Sequence, residues 1–195
     1  MSERRNYLGA DEATLLGWAQ AGDQRAFAAL VEPHGRKVRA VCLRILGDDQ
    51  LAQDAAQNAL LAAWKHLERF EGRARFSTWL CQIAHNAALA IAKGRRADPV
   101  DEVPERGADP VGGGSRLEAA EDVDEVHAVR WALGKLPPDF RAALVLREYG
   151  GLSYQEIAEA QSIPIDTVKS RINRARQGLA ALLREATTGP SLAGA

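Results

Sequence analysis

The chain has 195 residues, 46% hydrophobic, 26% charged and only 6% aromatic, so it can bury a core, and its abundant Ala favours helices over sheets. The formal net charge of -1 conceals an uneven distribution: residues 1–97 carry 14 basic and 10 acidic side chains, residues 98–125 carry 2 and 10, and residues 126–195 carry 9 and 6. Two basic blocks joined by an acidic strip suggest a bipartite polyanion binder. Two cysteines, Cys42 and Cys81, do not make a disulfide framework, and neither a membrane-spanning run nor a signal-peptide core is present, so a cytoplasmic protein without membrane insertion is expected.

From Asp11 to Lys93 the pattern is almost wholly helical. "DEATLLGWAQAGD" places Leu15, Trp18 and Ala19 on one face and ends at Gly22. "DQRAFAALVEPHGRKVRAVCLRILGDD" carries Phe27, Leu30 and Val31, then Val38, Val41, Cys42, Ile45 and Leu46, with a kink or break expected around Pro33 and Gly35. "DDQLAQDAAQNALLAAWKHLERF" predicts a third helix capped by Asp48 or Asp49. Here Leu60, Trp64 and Leu67 form a stripe, while Leu61 falls beside Asp54, Gln57 and Asn58. After "EGRARF", Ser77 is the expected cap of a fourth helix, "TWLCQIAHNAALAIAK", stopped by Gly94. Its buried stripe reads as Leu80, Ile83, Ala84, Ala87 and Ile91, with the amide-rich set Gln82, His85 and Asn86 opposite.

The stretch "DPVDEVPERGADPVGGGSR" should lack stable secondary structure. A second helical block starts near Leu117 and holds "VHAVRWALGKL", a break at "PPD", and "FRAALVLREYGG". Then "LSYQEIAEAQSIPIDTVKSRINRARQGL" reads as two helices around a short turn. Ser153 and Glu156 form a capping box, Pro164 opens the second helix, and Gln161-Ser162 stands where a DNA-binding turn prefers Gly. On the second helix Ile165, Val168, Ile172, Ala175 and Leu179 make one stripe. Ser170, Asn173, Arg174 and Gln177 point the other way beside Lys169, with Arg171 and Arg176 flanking the stripe. Forked guanidinium donors and amide edges of this kind read bases in the major groove, and flanking cations reach phosphates.

The expected fold is all-α: two small helical domains at 10–97 and 125–185, a flexible acidic linker at 98–124 and a tail at 186–195, with a helix-turn-helix in the second domain. The segment from Leu136 to Arg176 closely resembles the promoter-binding domain of extracytoplasmic-function sigma factors of the sigma-seventy family. "GDQRAFAALVEPH", "DDQLAQDAAQNALLAAWKHLERFEGRARFSTWLCQIAHNAAL" and "KGRR" are similar, in order, to that family's first domain. The resemblance implies a dissociable subunit of bacterial core RNA polymerase that directs it to promoter DNA in response to stress or an extracellular signal. Many such proteins are held by an anti-sigma factor, which makes one a candidate partner.

By position, the resemblance places Lys169, Ser170, Arg171, Asn173, Arg174 and Arg176 on the minus-thirty-five element, with Arg147, Tyr154 and Gln155 holding its backbone. It places Asn86 on a flipped minus-ten base, with Gln82 and His85 beside it and the loop Phe70–Phe76, including Arg73 and Arg75, around the base. Asp54, Gln57, Asn58 and Leu61 face the polymerase clamp. Asn58 stands where the family usually has an acid, which weakens or retunes that contact. The acidic linker is expected to thread the polymerase's basic channel.

A stand-alone helix-turn-helix regulator is the alternative, but the first half shows no sensor pocket. An enzyme is disfavoured by the lack of a P-loop, nucleophile elbow or paired carboxylates, so no catalytic residue and no cofactor are expected. Cys81 and His85 stand at i and i+4, but no further ligands follow at metal-site spacing, so no metal site is expected either.

Overall fold

The computed structural model describes residues 6–97 and 123–188; most of the acidic stretch, the expected helix start near Leu117 and the tail from 189 lie outside the described residues. Regular structure among the described residues is helical throughout. The first group comprises α1 (Glu12–Gln20), α2 (Gln24–Val31), α3 (Gly35–Leu46), α4 (Asp49–His66) and α5 (Phe76–Ala97). The second comprises α6 (Val123–Lys135), α7 (Pro138–Val145), α8 (Tyr154–Gln161) and α9 (Ile165–Thr188). No described helix is long and apolar enough to cross a membrane.

Local chemistry accounts for most boundaries. Asp11, Asp23 and Asp48 each accept hydrogen bonds from backbone N–H groups of the helix that follows, the last from Leu51 at 2.9 Å. Gly47 ends α3 in the left-handed region at φ 73°, which a side chain would disfavour. Pro33 sits in a single 3-10 turn, Glu32–His34, so the long second pattern is indeed broken there. Two boundaries differ from expectation. Ser77 lies inside α5 rather than capping it, because the Arg75 carbonyl already accepts from the N–H groups of Thr78 and Trp79. Gly94 does not stop α5, which runs to Ala97; one interior Gly costs a helix about 1 kcal/mol and does not break it.

In the first group, α3, α4 and α5 pack mutually, and α4 buries Ala52, Ala55, Ala59 and Ala63 completely. Cys42 and Cys81 are buried in the same core, where desolvation first and the neighbouring Cys81 second push the Cys42 thiol up to about 12. Both thiols are therefore held in the unreactive protonated form.

The two groups share one apolar core across a seam between α3 and α5 on one side and α6, α7 and the π-turn Leu146–Gly150 on the other. Arg141 holds the seam. Its guanidinium donates to the Ile45 carbonyl near the end of α3 at 2.9 Å and to the Gly134 and Leu136 carbonyls at the end of α6, at 2.7 and 3.0 Å. One cation thus serves the negative ends of two helix dipoles. Arg44 lies 3.8 Å above the Tyr149 ring, and Arg130 reaches Asp49 at 3.6 Å.

Arg141→Ala should lower the free energy of unfolding by roughly 2–4 kcal/mol, since it strands several carbonyls whose partner was charged. Urea unfolding monitored by tryptophan fluorescence should also broaden toward two transitions as the groups uncouple. Arg141→Lys should recover little, because an ammonium cannot fork between two helix ends.

Candidate nucleic-acid interface

The helix-turn-helix forms as the capping box dictates. The Ser153 N–H donates to Glu156 Oε2 at 2.7 Å, and the Glu156 N–H returns a bond to Ser153 Oγ at 3.2 Å. Ser162 takes the left-handed conformation at φ 54° that Gly would adopt without strain. The Pro164 carbonyl then receives the N–H groups of Thr167 and Val168 and starts α9. Val168, Ile172 and Ala175 are buried, with Ile165 and Leu179 half-buried at the ends of the stripe.

Opposite the stripe, Lys169, Ser170, Asn173, Arg174 and Gln177 are exposed. Asn173 and Arg174 have no polar partner among the described residues, so both present unengaged groups to a ligand. The other cations of α9 do have partners. Lys169 pairs with Asp166 at 3.0 Å and Arg176 with Glu148 at 2.6 Å; that bond, first among its causes, holds the Arg176 guanidinium above its ordinary range. Arg171 is half-buried and donates to Gln161 Oε1 at 3.2 Å and Asp139 Oδ2 at 3.0 Å. It ties α9 to α7 and α8. Arg147 likewise points inward, donating to the Leu152 carbonyl at 2.8 Å and stacking 4.9 Å over the half-buried Tyr154 ring. Gln155 is exposed and bonds Glu159 at 3.0 Å.

In the first group the loop ahead of α5 rests on an aromatic floor. Phe70 and Phe76 are only 9% and 2% exposed, and with Trp79 they form ring pairs 4.9–5.7 Å apart. The two phenylalanines therefore support the loop instead of lining its surface. Gln20 clamps it from below, donating to the Leu67 and Phe70 carbonyls. Arg73 and Arg75 are exposed, Arg73 in a surface pair with Glu71 at 2.6 Å.

The buried face of α5 is rotated from the expected one. Leu80, Cys81, Ala84, His85 and Ala88 are buried, whereas Ile83, Ala87 and Ile91 are half-buried. His85 is 0% exposed and cannot touch a base; its polarity had placed it on the wrong side. Asn86 is exposed and Gln82 half-buried, and Trp79 joins them at i, i+3, i+7 spacing as a half-buried aromatic plane. Trp79 stood in neither the expected stripe nor the expected amide face. On α4, Asp54, Gln57 and Asn58 are exposed and Leu61 is 58% exposed beside them, so the four share one open face. Among the described residues no cluster of three or more His, Cys, Asp or Glu could hold a metal.

Comparison with known proteins gives a consistent picture. Residues 30–97 match the model of Sigma-70 region 2, and residues 127–179 that of Sigma-70, region 4. The chain is 41% identical over 185 residues to the RNA polymerase sigma-H factor of Pseudomonas aeruginosa, covering 88% of this chain and 95% of that one. It is 34% identical over 176 residues to the ECF RNA polymerase sigma-E factor of Escherichia coli K12, covering 86% and 92%. Among solved structures it resembles the sigma factor RpoE of Bartonella quintana, crystallised with the anti-sigma factor NepR. The TM-score is 0.63 at 27% identity, over 79% of this chain and 94% of that one.

Two outcomes follow from the geometry. Arg174→Ala should relax sequence preference at one position of a duplex site, whereas Arg176→Ala should weaken all sequences alike and flatten the salt dependence by about one unit of slope or less. Fluorescence anisotropy over a salt series measures both. Separately, burial depresses the His85 pKa below 6.5, so between that value and the lower folded one the unfolded chain binds the extra proton. Its contribution is complete above pH 6.5 and is lost as pH falls toward the folded value, so stability should decline with acid over that window, less steeply in His85→Leu.

Proposed function

Because this chain belongs to the extracytoplasmic-function group of the sigma-70 family and is an RNA polymerase sigma factor, we propose that its exposed surfaces divide promoter recognition among three faces. The α9 face reads the minus-thirty-five element as duplex: Asn173 and Arg174 meet base edges, Ser170 stands beside them, and Lys169 and Arg176 exchange their carboxylate partners for phosphates. Arg171, Arg147 and Tyr154 hold the motif in shape, and Gln155 at the first turn of α8 reaches the backbone.

The Trp79, Gln82 and Asn86 face of α5, under the basic loop with Arg73 and Arg75, captures an unstacked minus-ten base. The α4 face of Asp54, Gln57, Asn58 and Leu61 docks on core polymerase, with Leu61 as its apolar anchor. The acidic residues between the domains add negative charge facing the enzyme's basic channel. The protein works as a non-catalytic subunit in the cytoplasm, and an anti-sigma factor is a fitting partner, since the similar sigma factor of Bartonella quintana forms a complex with one.

One observation carries the base-reading assignment: Asn173 and Arg174 are unengaged on a recognition helix whose other cations are already paired. Transcription by core polymerase plus this protein on a genomic fragment library should yield a two-part promoter, and Arg174→Ala should broaden only its upstream part. Asn86→Ala should weaken permanganate-detected melting while leaving core binding intact. Leu61→Asp should do the reverse, losing core binding in a pull-down while the free chain folds normally. A library with no enriched promoter would overturn the assignment of faces.

A further inference from the structure

His85 turns into the core of α5 and Asn86 lies on the surface next to it, yet the two side chains meet: His85 Nδ1 is 3.3 Å from Asn86 Oδ1. Neighbouring residues on a helix do not ordinarily face each other. An amide oxygen can only accept, so the ring nitrogen opposite it must carry the proton. The neutral ring then holds its single proton on Nδ1 and a bare lone pair on Nε2, and Nε2 is the buried nitrogen without a partner. A protonated ring would place a second N–H donor in the core with nothing to receive it. Burial accordingly depresses the ring's pKa and keeps it neutral.

The consequence falls on Asn86. With Oδ1 turned to the ring, its Nδ2 amine and two N–H donors face outward. We propose that His85 is a positioning residue that fixes the amide orientation of Asn86, so that α5 presents donors to the unstacked base and selects bases offering acceptors at the contacted edge. This rests on the reading of Asn86 as the base-contacting group. Without the ring proton the amide could turn over and offer its oxygen instead, serving bases with donor edges nearly as well.

The test uses holoenzyme made from core polymerase and the full chain, on four promoters that differ only in the captured minus-ten base. Open-complex formation, scored as abortive transcripts, should spread widely across the four with the wild type. His85→Leu should compress the ratio of best to worst base by roughly five- to tenfold. His85→Asn, whose amide nitrogen takes the place of Nδ1, should keep most of it. If Asn86→Ala leaves the ratio intact, the base-contact reading falls and this proposal with it. If Asn86→Ala collapses the ratio and His85→Leu does not, the proposal alone falls. Nitrogen-15 NMR of the wild-type chain gives a check independent of variant folding: the Nδ1–H tautomer is expected at His85, and an Nε2–H signature overturns the proposal.

Discussion

Alanine sets the distance between helices in the first group, and much else follows from that distance. Ala52, Ala55, Ala59 and Ala63 of α4 and Ala84 and Ala88 of α5 are all fully buried. Methyl groups at a contact let helix axes approach to the short end of the usual 8–10 Å range. Larger side chains cannot enter such a seam, so they gather at its edges. Phe27 meets Trp64 at 5.1 Å on one flank, and Phe70, Phe76 and Trp79 form the floor of the loop on another. A seam this tight allows little sliding, which fixes where the outer faces of α4 and α5 stand. Leu61 and Asn86 are exposed groups held by backbone that is packed from behind.

The second group relies on charge placement more than on volume. Of the four cations between Lys169 and Arg176, three have a carboxylate of their own chain within 3.0 Å. The exposed pairs of Lys169 and Arg176 contribute about 0–1 kcal/mol at best, so on the proposed reading a phosphate can replace the partner, but each exchange returns less than a free cation would give. If α9 reads duplex DNA as proposed, the helix is tuned toward discrimination, with Arg174 contributing fully and its neighbours partly. The weak duplex binding expected of such a helix suits the proposed division of promoter recognition, in which it acts beside a second DNA contact and a polymerase.

How much of this was legible in the sequence depends on how local each cause is. The aspartate cap of α4 at Asp48, the Ser153–Glu156 box and the break at Pro33 act over three or four residues, and all stand where the sequence put them. Leu61 was legible too, as an apolar residue outside its stripe. The face of α5 was not, because in "LCQIAHNAALAIA" small residues recur at almost every angle and polarity alone pulled His85 outward. Nor were the partners of Arg171 and Arg176, since Asp139 and Glu148 lie 32 and 28 residues away in sequence. A wheel shows which way a cation points but not what waits there.

The seam clasped by Arg141 has a consequence on the scale of a promoter. Elements named for positions ten and thirty-five lie about 25 base pairs apart, or roughly 85 Å of duplex at 3.4 Å per step. A folded chain of this length has a radius of gyration of about 16 Å and measures roughly 40 Å across. On the proposed assignment of faces, its two reading surfaces cannot reach both elements while the seam is shut. On that assignment, the span becomes available only once the two helical groups part. Every contact that closes the molecule, the three carbonyls on Arg141 first among them, is therefore a term subtracted from promoter affinity. The tightness of the clasp sets how much binding to polymerase must contribute before both DNA elements can be held at once.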